Sequence, residues 1–323
     1  LIAAEKARLA VGILLFMVAA CLPLVDDGYW LSVGVSIAMY TVLATSWALF
    51  SGPTNYIALS TAAFFGIGMY IVAAGLPYAP FYVLVAVGGV AGGLFAAIIG
   101  LATLRIAGVY FVIFTLGLAE LVRQVVAWAQ HVMGSSSGLY VLIDMGDPLL
   151  YWLLLGLSAV VFVIGWWIGR SRLGFALRII GNDEVVAVHS GINTARAKVL
   201  LFVISCFFAS ITGALVAPRW SYVEPTIAFN PFLSFQVVIM ALLGGVHRLW
   251  GPLVGVIPFT LLWEIISREF PAQTTLLLGV AFLLIVYIIP HGVVGLIEDL
   301  MRRRHELVGS LKAIVQRGKS RNA

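Results

Sequence analysis

The residues that could do chemistry are few, and their spacing excludes most of it. Cys21 and Cys206 are the only cysteines, and both lie within hydrophobic stretches. They read as buried, unpaired thiols with no redox or metal role. No HExxH or CxxC occurs. Gly318-Lys319-Ser320 imitates the end of a phosphate-binding loop, but Ala313 stands where such a loop needs glycine. The chain is therefore not expected to hydrolyse ATP or to hold a metal or cofactor of its own. What remains is charge set inside apolar sequence. Each ionised group there costs about 2.5–3.5 kcal/mol on insertion scales. Glu120 and Arg123, three residues apart, meet on one helix face. A self-neutralising pair is the expectation, and the lining of a polar pathway is the alternative. Glu264 sits near a segment end, within reach of headgroups. A proton-driven carrier needs an unpaired acid deep in the core, and this sequence offers none.

The longest polar interruption between apolar segments is Arg170 to Lys198, RSRLGFALRIIGNDEVVAVHSGINTARAK, which holds five of the 19 Lys and Arg residues. Asn182, Asp183 and Glu184 predict the capped start of a short helix: a side-chain acceptor, then carboxylates where the helix dipole favours them. Gly191 predicts the stop, because glycine turns left-handed without a Cβ clash. Asn193 or Thr194 is expected to cap the next helix. Val185, Val186 and Val188 lie between cap and stop, with Ile179 and Ile180 just upstream. Exposed valines on a short solvent-side helix need cover, and a partner protein is one answer.

The elements that position these residues are membrane helices. Apolar residues make up 62% of the 323, charged ones 10%, and mean hydropathy is +1.08. Soluble domains carry roughly 25% charge. A bilayer core of about 30 Å needs roughly 20 apolar residues per helix. Ten helices are predicted: 9–25, 30–50, 56–75, 79–104, 107–128, 149–169, 196–217, 233–246, 251–267 and 274–290. The first lacks a small-residue cleavage site and reads as an anchor. If the ten alternate, sixteen of the basic residues fall on one side, against Arg219 and Arg268 on the other. That bias puts both termini in the cytoplasm. The net charge of +5 then orients the chain and does not imply nucleic acid.

Further features fill in the bundle. Gly88 and Gly92, and Gly89 and Gly93, form two small-xxx-small faces for close helix packing. Residues 134–138, GSSSG, read as a flexible outer linker or as a mobile gate. Ser60 and Thr61, beside Phe64 and Phe65, read as core packing or as a path for a small, partly apolar solute. Past Pro290, HGVVGLIEDLMRRRHE predicts an amphipathic helix on the cytoplasmic interface, where it meets membrane lipid. The expected fold is all-α, a polytopic transmembrane bundle of about ten helices. Residues 1–290 form the membrane domain and 291–323 a basic cytoplasmic tail.

Five stretches, in order and spacing, resemble the permease subunits of bacterial ABC importers for branched-chain amino acids, specifically the longer of the two permease types. They are YIALSTAAFFGIGMY (56–70), GVYFVIFTLGLAELVR (108–123), GFALRIIGNDEVVAVHSGINTARAKVLLFVIS (174–205), SFQVVIMALLGGVHRLWGPLVG (234–255) and IIPHGVVGLIEDLMRRR (288–304). The family shows a serine-leucine-glycine-His/Gln lead-in where this chain has Ala58-Leu59-Ser60-Thr61. It shows a threonine-double-glycine loop where this chain has Met133-Gly134-Ser135-Ser136. The resemblance implies a second, similar permease, two cytoplasmic ATPase subunits that bind ATP and Mg, and a periplasmic substrate-binding protein. It implies an inner-membrane location. It makes 170–198 the coupling loop, with Val185, Val186 and Val188 as the apolar contact. Arg178, Asp183 and Glu184 would be its polar rim, and Asn182 and Gly191 its helix ends. Ser60, Thr61, Phe64, Phe65, Tyr110 and Thr115 are the implied path residues. Branched-chain amino acids are the implied cargo, with urea, amides and other small organic solutes as alternatives. A stand-alone carrier or channel is the competing class.

Overall fold

A computed structural model describes residues 28–103, 108–132, 138–143 and 145–274, with residues 12, 16–25 and 106 and six positions between 276 and 284. With no water in hydrocarbon, every backbone polar group must be satisfied within the protein, and helices do this locally. Along the chain run α1 (Tyr29–Thr54), α2 (Thr61–Gly75), α3 (Phe81–Thr103) and α4 (Val109–Val132). After β1 (Leu139–Tyr140) come α5 (Asp147–Arg170), α6 (Arg172–Asn182), α7 (Glu184–His189) and α8 (Thr194–Val216). After β2 (Tyr222–Val223) come α9 (Pro225–Ala228), α10 (Pro231–Gly244) and α11 (Gly251–Glu269). Among the described residues, seven helical stretches are long and apolar enough to cross a membrane, and α2 is a shorter apolar helix.

The helix α1 is apolar on all sides, and most of it is buried, so it stands at the centre of the bundle. The helix α8 lies against α1, α2 and α3. Small residues set how closely it approaches. A Cβ on Gly68 of α2 would collide with the Ser210 carbonyl, and one on Gly213 with the Phe65 carbonyl. The predicted glycine faces of α3 do meet α8: Gly92 faces Ser210 and Gly89 faces Ile211. Ser210 Oγ donates to the Gly88 carbonyl at 2.7 Å. The helices α10 and α11 form a hairpin, with Gly244 of one against the Gly251 carbonyl of the other.

The two ends of the bundle differ. At one end, Arg178 and Arg248 line one cleft, and Arg170, Arg172 and Arg196 stand in the last turn of α5 and the first turns of α6 and α8. At the other, β1 and β2 pair antiparallel, Tyr140 opposite Tyr222. Arg219 there hydrogen-bonds Ser32 near the start of α1.

Three expectations need correction. The helix predicted at 56–75 begins only at Thr61. Before it, α1 runs past Pro53 to Thr54 and stops at Asn55, which is left-handed at φ 56°. Residues 55–60 are then irregular backbone that hydrophobicity alone does not separate from helix. Cys21 is exposed, whereas Cys206 is buried, and both are free. The stretch 172–182, read as loop, is an amphipathic helix capped by Ser171, whose hydroxyl accepts from Gly174 N at 3.3 Å. The predicted helix at 274–290, the tail 291–323 and residues 134–137 lie outside the described residues, apart from a few positions before 285.

Candidate functional site

The polar stretch folds as two short helices at the basic end. In α6, Gly174, Leu177 and Ile180 face inward at helical spacing, and Phe175 is exposed. The predicted cluster of exposed apolar residues is therefore different in part: Ile180 is buried and Ile179 packs on the core, because both belong to α6. The next helix, α7, starts one residue later than predicted. Asn182 ends α6, and Asp183 is the cap. The Asp183 carboxylate accepts from Val185 N at 2.8 Å and Val186 N at 3.3 Å. Those are two of the unpaired first-turn donors.

The stop falls at Gly191, which is left-handed at φ +78°. Its N–H bonds the Val188 carbonyl at 3.0 Å, and Ile192 N bonds the Ala187 carbonyl at 3.1 Å. This pair is the Schellman termination. Asn193 then caps α8 by accepting from Arg196 N at 3.0 Å. The six-residue α7 is thus fixed at both ends. One face, Glu184 and Ala187, points into the protein. The other shows Val185, Val186 and Val188, which are 63%, 53% and 55% exposed. Arg178 reaches to 3.5 Å from the Gly169 carbonyl at the end of α5, where a helix terminus favours a cation.

Glu184 does not project with the valines. Its carboxylate pairs with Lys198 Nζ at 2.5 Å. Lys198 is only 1% exposed. The same ammonium donates to Tyr56 Oη at 3.0 Å and lies 4.2 Å from that ring's centroid. Sequence reasoning counted Lys198 among the loop cations. No signal in one sequence links it to Tyr56, which is 142 residues away.

Tyr56 belongs to the irregular stretch 55–60, which side chains hold in place. Trp47 Nε1 donates to the Ala58 carbonyl at 2.7 Å, Leu59 N donates to Thr115 Oγ1 at 3.0 Å, and Ala62 N donates to Ser234 Oγ at 2.9 Å. Asn55 Nδ2 donates to the Gly181 carbonyl at 3.1 Å. Of the implied path residues, Ser60, Thr61, Phe64, Phe65 and Thr115 are all buried within this chain. Tyr110, by contrast, is 76% exposed on α4.

A cleft of about 570 Å³ opens at the same end, between α1, α5, α6 and the 245–250 turn; Asn55, Arg178, Gly181 and His247 are among its lining residues. Glu120 and Arg123 form the predicted pair. Arg123 Nε donates to Glu120 Oε2 at 2.8 Å, a second guanidinium nitrogen bonds Oε1, and Gln124 adds a bond at 2.9 Å. The pair is part-exposed, on the least buried of the spans. Among the described residues, no group of His, Cys, Asp and Glu is arranged to hold a metal.

Residues 29–289 match the family described as branched-chain amino acid transport system / permease component. The chain is 24% identical to the high-affinity branched-chain amino acid transport system permease protein LivM of Escherichia coli (strain K12), over 90% of this chain and 77% of that protein. It is 26% identical to LivH, a permease protein of the same description from Salmonella typhimurium, over 51% of this chain and 53% of that one. It is also 28% identical to the ribose import permease protein RbsC of Haemophilus influenzae, over 34% of this chain and 35% of that one. The apolar spans and a family match that covers most of them agree: the chain belongs to the branched-chain amino acid transport permease family, and it is a multi-pass inner-membrane protein.

Proposed function

We propose that this chain is a permease subunit of an ATP-driven ABC importer for branched-chain amino acids, and that α7 is where ATPase subunits drive it. One observation carries this reading: a helix of six residues, capped at both ends, presents three valines outward while its inner face is tied to the membrane bundle. An isolated helix of that length has no stability of its own. Three large β-branched side chains on it need a partner to cover them. Phe175 on α6 extends the apolar contact, and Arg178 lies at its polar edge. The cleft beside α6 leaves that helix room to shift against α1. Energy comes from ATP and Mg on the partner subunits, and this chain supplies a gated route.

The route runs between this chain and a second, similar permease. The part-exposed Glu120–Arg123–Gln124 cluster on α4 needs cover from hydrocarbon, and the second permease supplies it. Tyr110 faces that boundary. Thr115, Ser60, Thr61, Phe64 and Phe65 stand behind it and fix the position of α2. A periplasmic binding protein delivers the solute and sets most of the specificity.

Reconstitution tests the reading. With ATPase subunits, second permease and binding protein, proteoliposomes are expected to take up labelled leucine only when ATP is supplied. The chain alone is expected to be inert in a leucine gradient. Gradient-driven uptake by the chain alone would replace this reading with that of a stand-alone carrier.

A further inference from the structure

We infer that Lys198 is a positioning residue through which the stroke of α7 reaches the irregular backbone 55–60 ahead of α2. The inference rests on the coupling reading above and names the part that transmits the motion. A buried ammonium is expensive unless it is paired. Lys198 Nζ has two partners, on different elements: Glu184 at 2.5 Å, the first residue of α7, and Tyr56 at 3.0 Å. Glu184 remains partly open to solvent, so the link is anchored on one side and accessible on the other.

What Lys198 holds is irregular backbone between two helices. Residues 55–60 have no helical ladder, and the Trp47, Thr115 and Ser234 side chains bond the Ala58 carbonyl, Leu59 N and Ala62 N. The Asn55–Gly181 bond ties the same segment to the end of α6. Both ends of the α6–α7 junction therefore grip residues 55 and 56. Beyond them, Tyr56 packs edge-on against Phe111 at 5.2 Å, and Phe111 lies 6.2 Å from Phe50. Phe202 lies 5.3 Å from Phe50 and 5.8 Å from Phe64 on α2. An aromatic column thus runs from the ammonium into the bundle. Displacement of α7 moves Glu184, Lys198 and Tyr56 together and changes the entry angle of α2.

The test uses the complete importer in proteoliposomes and reads leucine taken up per ATP hydrolysed. Lys198→Met keeps the length and removes the charge. It is expected to lower that ratio at least tenfold while ATPase subunits still bind and hydrolyse. Glu184→Gln keeps an acceptor but takes away the counter-charge of the buried ammonium, so Lys198→Met, which removes the ammonium itself, is the variant that folds where Glu184→Gln fails to. Glu184→Gln is expected to lower the ratio at least threefold. The double variant is expected to be no worse than Lys198→Met, because both act through one link. A wild-type ratio in either variant overturns the inference, whether uptake and hydrolysis are both intact or both lost in proportion. Wild-type importer that fails to take up leucine with ATP would instead sink the coupling reading itself.

Discussion

Replacing Val185, Val186 and Val188 together by alanine trims the outer face of α7 and leaves its scaffold alone. Alanine has the higher helix propensity, so the helix persists. The Asp183 cap, the Gly191 termination and the buried Ala187 are untouched. Fully burying a valine is worth about 1.5 kcal/mol at the low end. Each of the three is roughly half exposed already, so a partner covering them gains about 0.8 kcal/mol per residue, about 2.4 kcal/mol in all. Alanine forfeits two of three side-chain carbons and so about 1.6 kcal/mol. At about 1.4 kcal/mol per tenfold, association with the ATPase subunits weakens about 15-fold. The assay is a titration of labelled ATPase subunits onto the permease pair held in lipid nanodiscs. An affinity within twofold of wild type would refute the assignment of this face as the contact.

Two further outcomes follow from the geometry. Gly68→Ala places a methyl group against the Ser210 carbonyl and forces α2 from α8, so the thermal unfolding midpoint of the purified chain falls, with overpacking costs of about 1–3 kcal/mol; Gly156→Ala, in open space on α5, leaves it unchanged or slightly raised. Asp183→Ala removes the cap at a cost of about 1 kcal/mol and speeds hydrogen exchange at Val185 and Val186 about fivefold, whereas Asp183→Asn keeps the acceptor and most of the protection.

Much of this fold was legible because the membrane leaves few solutions. Segments of apolar residues at about 20-residue length predict spans, and α3, α4, α5, α8 and α11 fall within a few residues of the predicted ranges. Local chemistry was equally readable. Gly191, Asn193 and the Glu120–Arg123 pair depend on neighbours three or four positions away, and the structure places each as its spacing implies. The errors arise where the partner is distant or the pattern ambiguous. Thr61 rather than Tyr56 begins α2 because Asn55 turns left-handed after Pro53, and the apolar run 56–75 conceals that break. The signal was Gly52-Pro53-Thr54-Asn55, a turn-forming run inside an apolar stretch. The helix α6 was missed although Ser171, Leu173, Leu177 and Ile180 show its cap and face. Lys198 was counted for its charge alone, since burial and pairing with Tyr56 depend on tertiary structure.

The coupling role proposed for α7 requires that nucleotide-hydrolysing subunits touch it. Single cysteines at Val186 in α7 and at Gly156 on α5, each in an otherwise cysteine-free chain, can be treated with a short thiol cross-linker in the assembled importer. Val186→Cys is expected to form a covalent adduct with an ATPase subunit, and Gly156→Cys is not. Val186→Cys that remains free to react with a water-soluble maleimide in the assembled importer, with no adduct formed, would contradict that role.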